Sequence, residues 1–514
     1  MPGSAGPSPG AAPRLFSSLR RLVARRPWLC AVAAPCAVLA AGAARDAAAL
    51  LRYPAAVGLD GYYYVLQINA LQQTGALHFP TGAPLVLYLM AGVGYLTGEP
   101  VLAVKTTGLL LHFALGLGVL ALLRSLTRSP WPGALGAAMV SASSLRLYMT
   151  AEFVSNLGGL TFLVWAAWCA LRYFRLRRRA WAAAALVLLA GGALSHRSIL
   201  PLAASLALTS VFAQFFLAPA RGRAARMAAL LAVAALWLSP AVLATQGLFD
   251  LPPRLAGAIS ATPRPPFDRY ALAEEIILLL AAPLCILLIA KARPGAPGAA
   301  EVVIVSLALF SLLFTLNPFL NPQGGWVGLV GRARGLAYIQ AALLVPGLLW
   351  LLWRRSRLLV LYAAAALVPL MLLSAAAPPP RGISRDYLAE RSVLTETLPA
   401  LRVDVAPNSI VVARHGDEFL VTALTGLPSQ QTPPNDSPRY GTVYWLLHQA
   451  PPQTLDGSTI VLREGADGRF VGLLEDGRLR AKLGGLSDPE RRRLFARNPH
   501  LRRAFAPKKE RRKP

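Results

Sequence analysis

Apolar runs of roughly 20 residues recur along this chain, separated by short basic loops, and nothing else in it constrains the fold as tightly. A run of that length is what a helix needs to cross the hydrocarbon layer, at ~1.5 Å of rise per residue. The runs read as 28–44, 101–123, 132–149, 157–173, 180–195, 198–218, 227–246, 272–290, 302–316, 336–353 and 358–377. The expected fold class is therefore an all-α polytopic membrane protein of about eleven transmembrane helices, followed by a small C-terminal α/β soluble domain. With 55% hydrophobic and 15% charged residues, 514 residues of soluble domains are excluded. Cys30, Cys36, Cys169 and Cys285 all fall inside the runs as small apolar residues, so no disulfide framework is available.

The arginines orient the runs. With the N-terminus inside, alternate loops carry Arg124 and Arg128, then Arg172 to Arg179, then Arg221 to Arg226, then Lys291 and Arg293, then Arg354 to Arg357. Every second loop is basic, as retention of positive charge in the cytoplasm requires. Much of the net charge of +28 is explained this way, and no basic surface interleaved with aromatics points to nucleic acid. Residues 1–27 read as a cytoplasmic tail. The first run reads as a retained anchor, because many spans follow it.

The outer loop 45–100 is the least hydrocarbon-like stretch before residue 377. It sets Asp60 against Tyr62, Tyr63 and Tyr64. Residues 85–98 are too short to span and predict an amphipathic helix lying in the outer interface. Asp60 either caps a helix beginning at Gly61 or carries chemistry, since a carboxylate kept at a membrane surface is costly. The tyrosine triplet is read most simply as an aromatic belt. The topology returns Glu152 to the same side, as a solvated acid or as a second functional carboxylate. His196 and Arg197, at an outer turn, suit either a phosphate or a plain helix end. Arg332 and Arg334 sit in a glycine-rich outer loop, against the positive-inside bias, and suit a phosphate or lipid headgroups. Lys105, within the second run, needs a partner or snorkels outward. Glu274 and Glu275 read as helix N-terminal acids.

After residue 377 the composition changes. The segment 378–490 carries β-like runs at 409–413, 419–423, 458–462 and 470–474, with Asp-Gly turns between the later ones. It reads as the small soluble domain, placed outside by the span count. Residues 491–514 hold eleven basic residues and one acid and read as a disordered tail. No internal repeat is visible, which disfavours an inverted-repeat transporter.

Three stretches carry a family resemblance: Leu59-Asp60-Gly61-Tyr62-Tyr63-Tyr64, residues 75–80 with 84–88, and Ala151-Glu152 heading a span through Asn156. On these the chain resembles the class C glycosyltransferases (GT-C), among them protein O-mannosyltransferases, lipid A aminoarabinose transferases and, more distantly, the oligosaccharyltransferase catalytic subunit. The resemblance covers residues 15–200 in outline, thins toward 377, and leaves the last domain unmatched.

It implies a GT-C-like fold and inverting transfer of a sugar from a polyprenyl-phosphate donor to an acceptor glycan, lipid or protein on the outer face. Asp60 would then act as base or as ligand to a divalent metal, Mg or Mn, with Glu152 as second carboxylate. His78 would meet donor phosphate, with His196, Arg197, Arg332 and Arg334 as further phosphate ligands. The sequence departs from the mannosyltransferases at Gly61, where they carry Glu, so a dyad through position 61 is excluded. It also reads His78-Phe79-Pro80 where relatives have two prolines. Partners expected are the lipid-linked sugar and membrane lipids, with no nucleic acid. Alternative readings are a secondary transporter, or a non-catalytic scaffold acting through the last domain. Ala- and Arg-rich composition suits a bacterial inner membrane, with the active site outside.

Overall fold

The computed structural model describes residues 32–143, 145–217, 228, 231–236, 272–290, 298–317, 320, 335–376, 383–399, 408–431, 440–454, 459–464 and 469–505. The chain divides into two compact units. One comprises 1–46, 109–149 and 155–378; the other comprises 47–108, 150–154 and 379–514.

Among the described residues, five helices are long and apolar enough to cross a membrane. They are α1 (Ala34–Leu51), α4 (Pro100–Thr127), α7 (Val154–Leu176), α9 (Ile199–Leu217) and α10 (Leu272–Ala290). The other helices of this part are α2 (Gly61–Thr74), α3 (Leu85–Thr97), α5 (Pro130–Ala142), α6 (Leu145–Ala151), α8 (Arg179–Ser195), α11 (Ala299–Phe310), α12 (Ala337–Trp353) and α13 (Arg357–Ala376). A π-turn over Ser311–Thr315 extends α11. The chain is thus a membrane protein, mostly helical. The run expected at 227–246 falls largely outside the described residues.

In the first unit α12 is the centre, with every residue from Ala337 to Leu349 buried. It packs on α5 and α10. Small residues allow the approach: a Cβ on Gly136 would lie 2.8 Å from the Ala342 carbonyl oxygen. The polar side chains inside this apolar unit find one another. Ser311 and Thr315 both donate to Gln340 Oε1, at 2.8 and 2.9 Å. Arg146 donates to buried Asp46 at 2.8 Å. The run expected over 132–149 is not one helix. Ser143 is extended, its Oγ donates to Glu274 Oε1 at 2.5 Å, and Arg146 caps its carbonyl at 2.7 Å. These bonds satisfy the groups that the break frees. An apolar cavity of about 530 Å³ lies among these helices, lined by Leu160, Phe174, Leu202, Leu206, Phe310 and Leu343.

In the second unit, α3 buries Val86, Leu87, Met90, Ala91 and Gly94 and packs on α2. Its other face exposes Tyr88, Leu89, Tyr95 and Leu96, an apolar face without a soluble-protein reason. Lys105 donates to the carbonyl of Tyr53. The C-terminal part begins with α14 (Arg385–Thr397) and builds a five-stranded mixed sheet. Its strands are β1 (Ser409–Val412), β2 (Ser429–Gln430), β3 (Thr442–Ala450), β4 (Ile460–Glu464) and β5 (Phe470–Glu475). The order is β2-β1-β3-β5-β4, with β1 parallel to both neighbours and β5 antiparallel to both of its own.

Three expectations need correction here. The apolar run at 419–423 lies in a helix, α15 (Asp417–Thr425), whose two acids stand at its N-terminus, where they favour a helix over a strand. The chain from 491 is not a tail as far as 505. Helices α16 (Asp476–Gly485), α17 (Asp488–Arg497) and α18 (Pro499–Phe505) follow the sheet. Leu494 and Leu501 are fully buried against Trp445 and Phe470, so basic residues only clothe the outer faces of two amphipathic helices. Finally, loop 47–108 belongs to one unit with the C-terminal domain, not to the helical unit.

Candidate active site

Asp60 stands at the position before α2, yet its side chain makes no capping bond. The turn ahead of it is fixed by Gly58, at φ +88, where a Cβ would lie 2.7 Å from the Ala151 carbonyl oxygen. Only glycine tolerates both the backbone and the approach. That approach seats Glu152 beside the first loop. Tyr64 Oη donates to the Glu152 carbonyl at 3.2 Å, so the tyrosine run does more than face lipid.

Glu152 is buried, and its Oε2 has no hydrogen-bond partner among the described residues. Burial pushes its pKa up to about 7, and the negative charge of Asp60 adds to the rise. A hydrogen bond from the backbone of Leu59, then His415 and Arg391, act in the opposite sense. Two carboxylates 92 residues apart in the chain (152 − 60) therefore share one electrostatic site. It is the arrangement in which one acid holds a proton that its neighbour does not.

The cationic side comes from the C-terminal domain. The loop Arg414-His415-Gly416 leaves β1 and starts α15. His415 Nε2 lies 3.6 Å from Asp60 Oδ1, and its Nδ1 lies 3.0 Å from Glu418 Oε1. Gln431 also donates to Glu418, at 2.9 Å. The bond to Glu418 raises the His415 pKa; partial burial opposes it, and Glu418, Asp60 and Glu152 add their attraction. Arg391, 1% exposed, spans both loops, donating to the carbonyls of Gly58 and Gly416. Its guanidinium lies between the rings of Tyr62 and Tyr387, at 5.1 and 5.3 Å. Behind the loop, Arg414 pairs with Asp417 and with Glu390, at 2.5 and 2.9 Å. His448 completes the ring, 2.6 Å from Glu390 and 2.9 Å from Asp417. Burial alone would raise Glu390, but His448 and Arg414 hold it down at about 2.

Gly416 locks these loops together. At φ +95, a Cβ there would meet Leu59 O at 3.0 Å and Tyr387 Oη at 3.1 Å. Gly416→Ala is expected to cost about 1–3 kcal/mol through backbone strain and to displace His415 from Asp60. A lowered melting temperature with little change in membrane insertion, read by scanning fluorimetry and by detergent-extracted yield, is the expected pair of results.

The other expected site residues fare differently. His78 is exposed at the rim, edge-on to Phe79 at 4.5 Å. Phe79 meets Phe419 at 6.0 Å, and Phe419 meets His415 at 6.1 Å. Gln67 fixes this bend by bonding both the N–H and the carbonyl of Phe79. His196 and Arg197 belong to the helical unit. There the His196 ring bonds Ser198 Oγ at 2.7 Å and accepts from the Ser198 N–H, which organises the start of α9. Arg332 and Arg334 lie outside the described residues. Sequence reasoning missed His415 and Arg391. The signal for His415 was legible: four charged or titratable residues, broken only by Gly416, directly follow an apolar β-like run. For the metal expected at Asp60, the described residues gather no group of three or more His, Cys, Asp or Glu that could hold one. The described donors around Asp60 therefore do not make up a metal site.

No family model and no curated protein matches the chain. Among solved structures it is similar to the oligosaccharyltransferase of Archaeoglobus fulgidus. With that enzyme tethered to an acceptor peptide containing the NVT sequon, the TM-score is 0.48 at 12% identity, over 76% of this chain and 63% of that one. With its complex with Zn and sulfate the values are 0.48, 13%, 76% and 62%. With its complex with an inhibitory peptide and a dolichol-phosphate they are 0.45, 12%, 76% and 64%. This chain spans less than two thirds of the length of those proteins.

Proposed function

We propose that this protein is an integral membrane glycosyltransferase that moves a sugar from a polyprenyl-phosphate donor to an acceptor on the extracytoplasmic face, with inversion. The observation that carries the reading is the Asp60–Glu152 pair, one carboxylate partly exposed and the other buried with a pKa near neutrality. In a single displacement, Asp60 takes the proton of the acceptor hydroxyl as its oxygen attacks the anomeric carbon. The bond to the lipid phosphate then breaks on the opposite face. His415 orients Asp60 and balances its charge. Ionisation of Glu152 behind it makes Asp60 the stronger base.

The phosphate leaves with added negative charge and needs cations. Arg332, Arg334, His78, His196 and Arg197 remain the proposed ligands. The apolar cavity of about 530 Å³ in the helical unit suits a polyprenyl tail. Eleven spans, an outer C-terminal domain and residence in a bacterial inner membrane complete the proposal. The exposed apolar face of α3 supports an interfacial position for that helix.

The test is lipid analysis of a strain lacking the gene. A glycosylated polyprenyl phosphate should accumulate, and the wild-type gene should clear it while Asp60→Asn should not. If Asp60→Asn clears the lipid, or if none accumulates while deletion of 385–514 alone reproduces the defect, the protein acts as a scaffold.

A further inference from the structure

Three aromatic rings close on one another beside the carboxylate pair, all of them in the second unit. Tyr63 lies nearly parallel to Phe79, at 14° with 5.8 Å between centroids, and meets Phe419 edge-on at 5.5 Å. Phe79 and Phe419 meet edge-on in turn. Offset and edge-on contacts are the favourable ones between aromatic rings, so the cluster holds its own shape. It is not sealed from solvent. Phe79 is 39% exposed, and Tyr63 and Phe419 are half-buried.

A lone exposed phenylalanine needs no explanation. This one is fixed in place by a buried amide. Gln67 Oε1 accepts from the Phe79 N–H at 3.0 Å, and its Nε2 donates to the Phe79 carbonyl at 2.8 Å. The same Nε2 donates to Tyr63 Oη at 3.0 Å. One fully buried side chain thus sets both the open ring and the ring behind it. A surface shaped before its ligand arrives loses less freedom on binding.

The surroundings identify the ligand. His78 stands exposed at one side of the wall. On the other side stand His415 and Asp60, both partly open to solvent. The His415 ring lies 6.1 Å from that of Phe419, and its Nε2 lies 3.6 Å from Asp60 Oδ1. A hydrocarbon chain laid over these rings would cover the polar groups without returning their hydrogen bonds, which is unfavourable. A sugar ring returns them. One of its faces presents C–H groups that suit an aromatic surface, and its edge carries hydroxyls for imidazole and carboxylate.

We infer that the wall of Phe79 and Phe419, backed by Tyr63, is the subsite for a sugar ring of the acceptor, which is a glycan or glycolipid and not a polypeptide. That the ring is the acceptor's rests on the transferase reading, in which Asp60 takes a proton from an acceptor hydroxyl. His415 bridges Asp60 and the wall. Binding of the ring needs no transfer, so the subsite and the reaction can fail separately.

The full-length protein, in a zwitterionic detergent carrying no sugar, is titrated by saturation-transfer NMR. The probes are methyl glycosides of glucose, mannose, galactose and arabinose, and a capped peptide containing serine and threonine. At least one glycoside should receive saturation, strongest at the C–H protons of one ring face. Phe79→Leu, which keeps an apolar side chain but no ring, should weaken that binding about tenfold, and Phe79→Tyr should keep it within about twofold. Leu96→Ala, on the exposed face of α3, should leave it unchanged. Glycoside binding with no glycosylated lipid accumulating in the deletion strain supports the sugar subsite and removes the transferase. Accumulation of that lipid with no glycoside binding does the reverse. Saturation of the peptide alone, or glycoside binding equal in wild type and Phe79→Leu, overturns the proposal.

Discussion

Asp60→Ala is expected to reduce sugar transfer about a hundredfold to ten-thousandfold, the usual cost of removing a general base, while the protein still inserts and folds. Its side chain makes no capping bond to α2, so its loss removes no N-cap hydrogen bond. Glu152→Gln supplies the companion result. Glu152 titrates at about 7, raised first by burial and then by Asp60. Transfer by the wild type should therefore climb as pH passes upward through about 7, when Glu152 becomes charged and strengthens Asp60 as a base. Gln holds that position neutral, so its residual rate should lack this limb.

The sign for stability is opposite. A carboxyl whose folded pKa lies above its unfolded value favours folding fully below the unfolded value, about 4.5, and loses that contribution as pH rises through 7. At pH 8 the ionised Glu152 costs on the order of 3 kcal/mol by this linkage. Glu152→Gln should accordingly melt higher than wild type at pH 8 and close to it at pH 5, followed by differential scanning fluorimetry. A variant that is destabilised at pH 8 and keeps a rate limb near 7 would remove Glu152 from the site.

Arg414→Met is expected to be the most destabilising change in the C-terminal domain, by about 3–5 kcal/mol. It leaves Asp417, fully buried, and Glu390 paired with His448, with Arg391 acting on Asp417 from farther off. The destabilisation comes mainly from the charges left behind, not from the attraction lost. Arg414→Met with Asp417→Asn should therefore recover part of the loss, which a cavity effect would not. Acid gives a second reading. Glu390, held at about 2, contributes stability that is present above 4.5 and lost as pH falls toward 2. The variant should unfold at higher pH than wild type in an acid titration. Unchanged resistance of the domain to protease in Arg414→Met would contradict the role given to the network.

The membrane character and the two carboxylates, Asp60 and Glu152, were legible because each is a local or periodic property. Apolar runs write themselves into hydropathy, and Asp60 and Glu152 each stand out against apolar flanks. The break at Ser143 was not legible, since it depends on Glu274 and Arg146 arriving from elsewhere. Residues 491–505 misled for a related reason. Arginines dominate their composition, while the two leucines that decide their burial count for little in any average. Arg391, which clamps the first loop, was hidden because 333 residues separate it from the carbonyl it holds. No window along the chain can register such a pairing.

That same separation sets a clock during synthesis. The turn bearing Asp60 is made early, and the guanidinium that clamps it emerges only after the whole helical unit has been translated. A nascent or truncated chain thus carries the first loop without its clamp. The clamp on the first loop therefore closes late in biogenesis, when Arg391 meets a carbonyl made 333 residues before it.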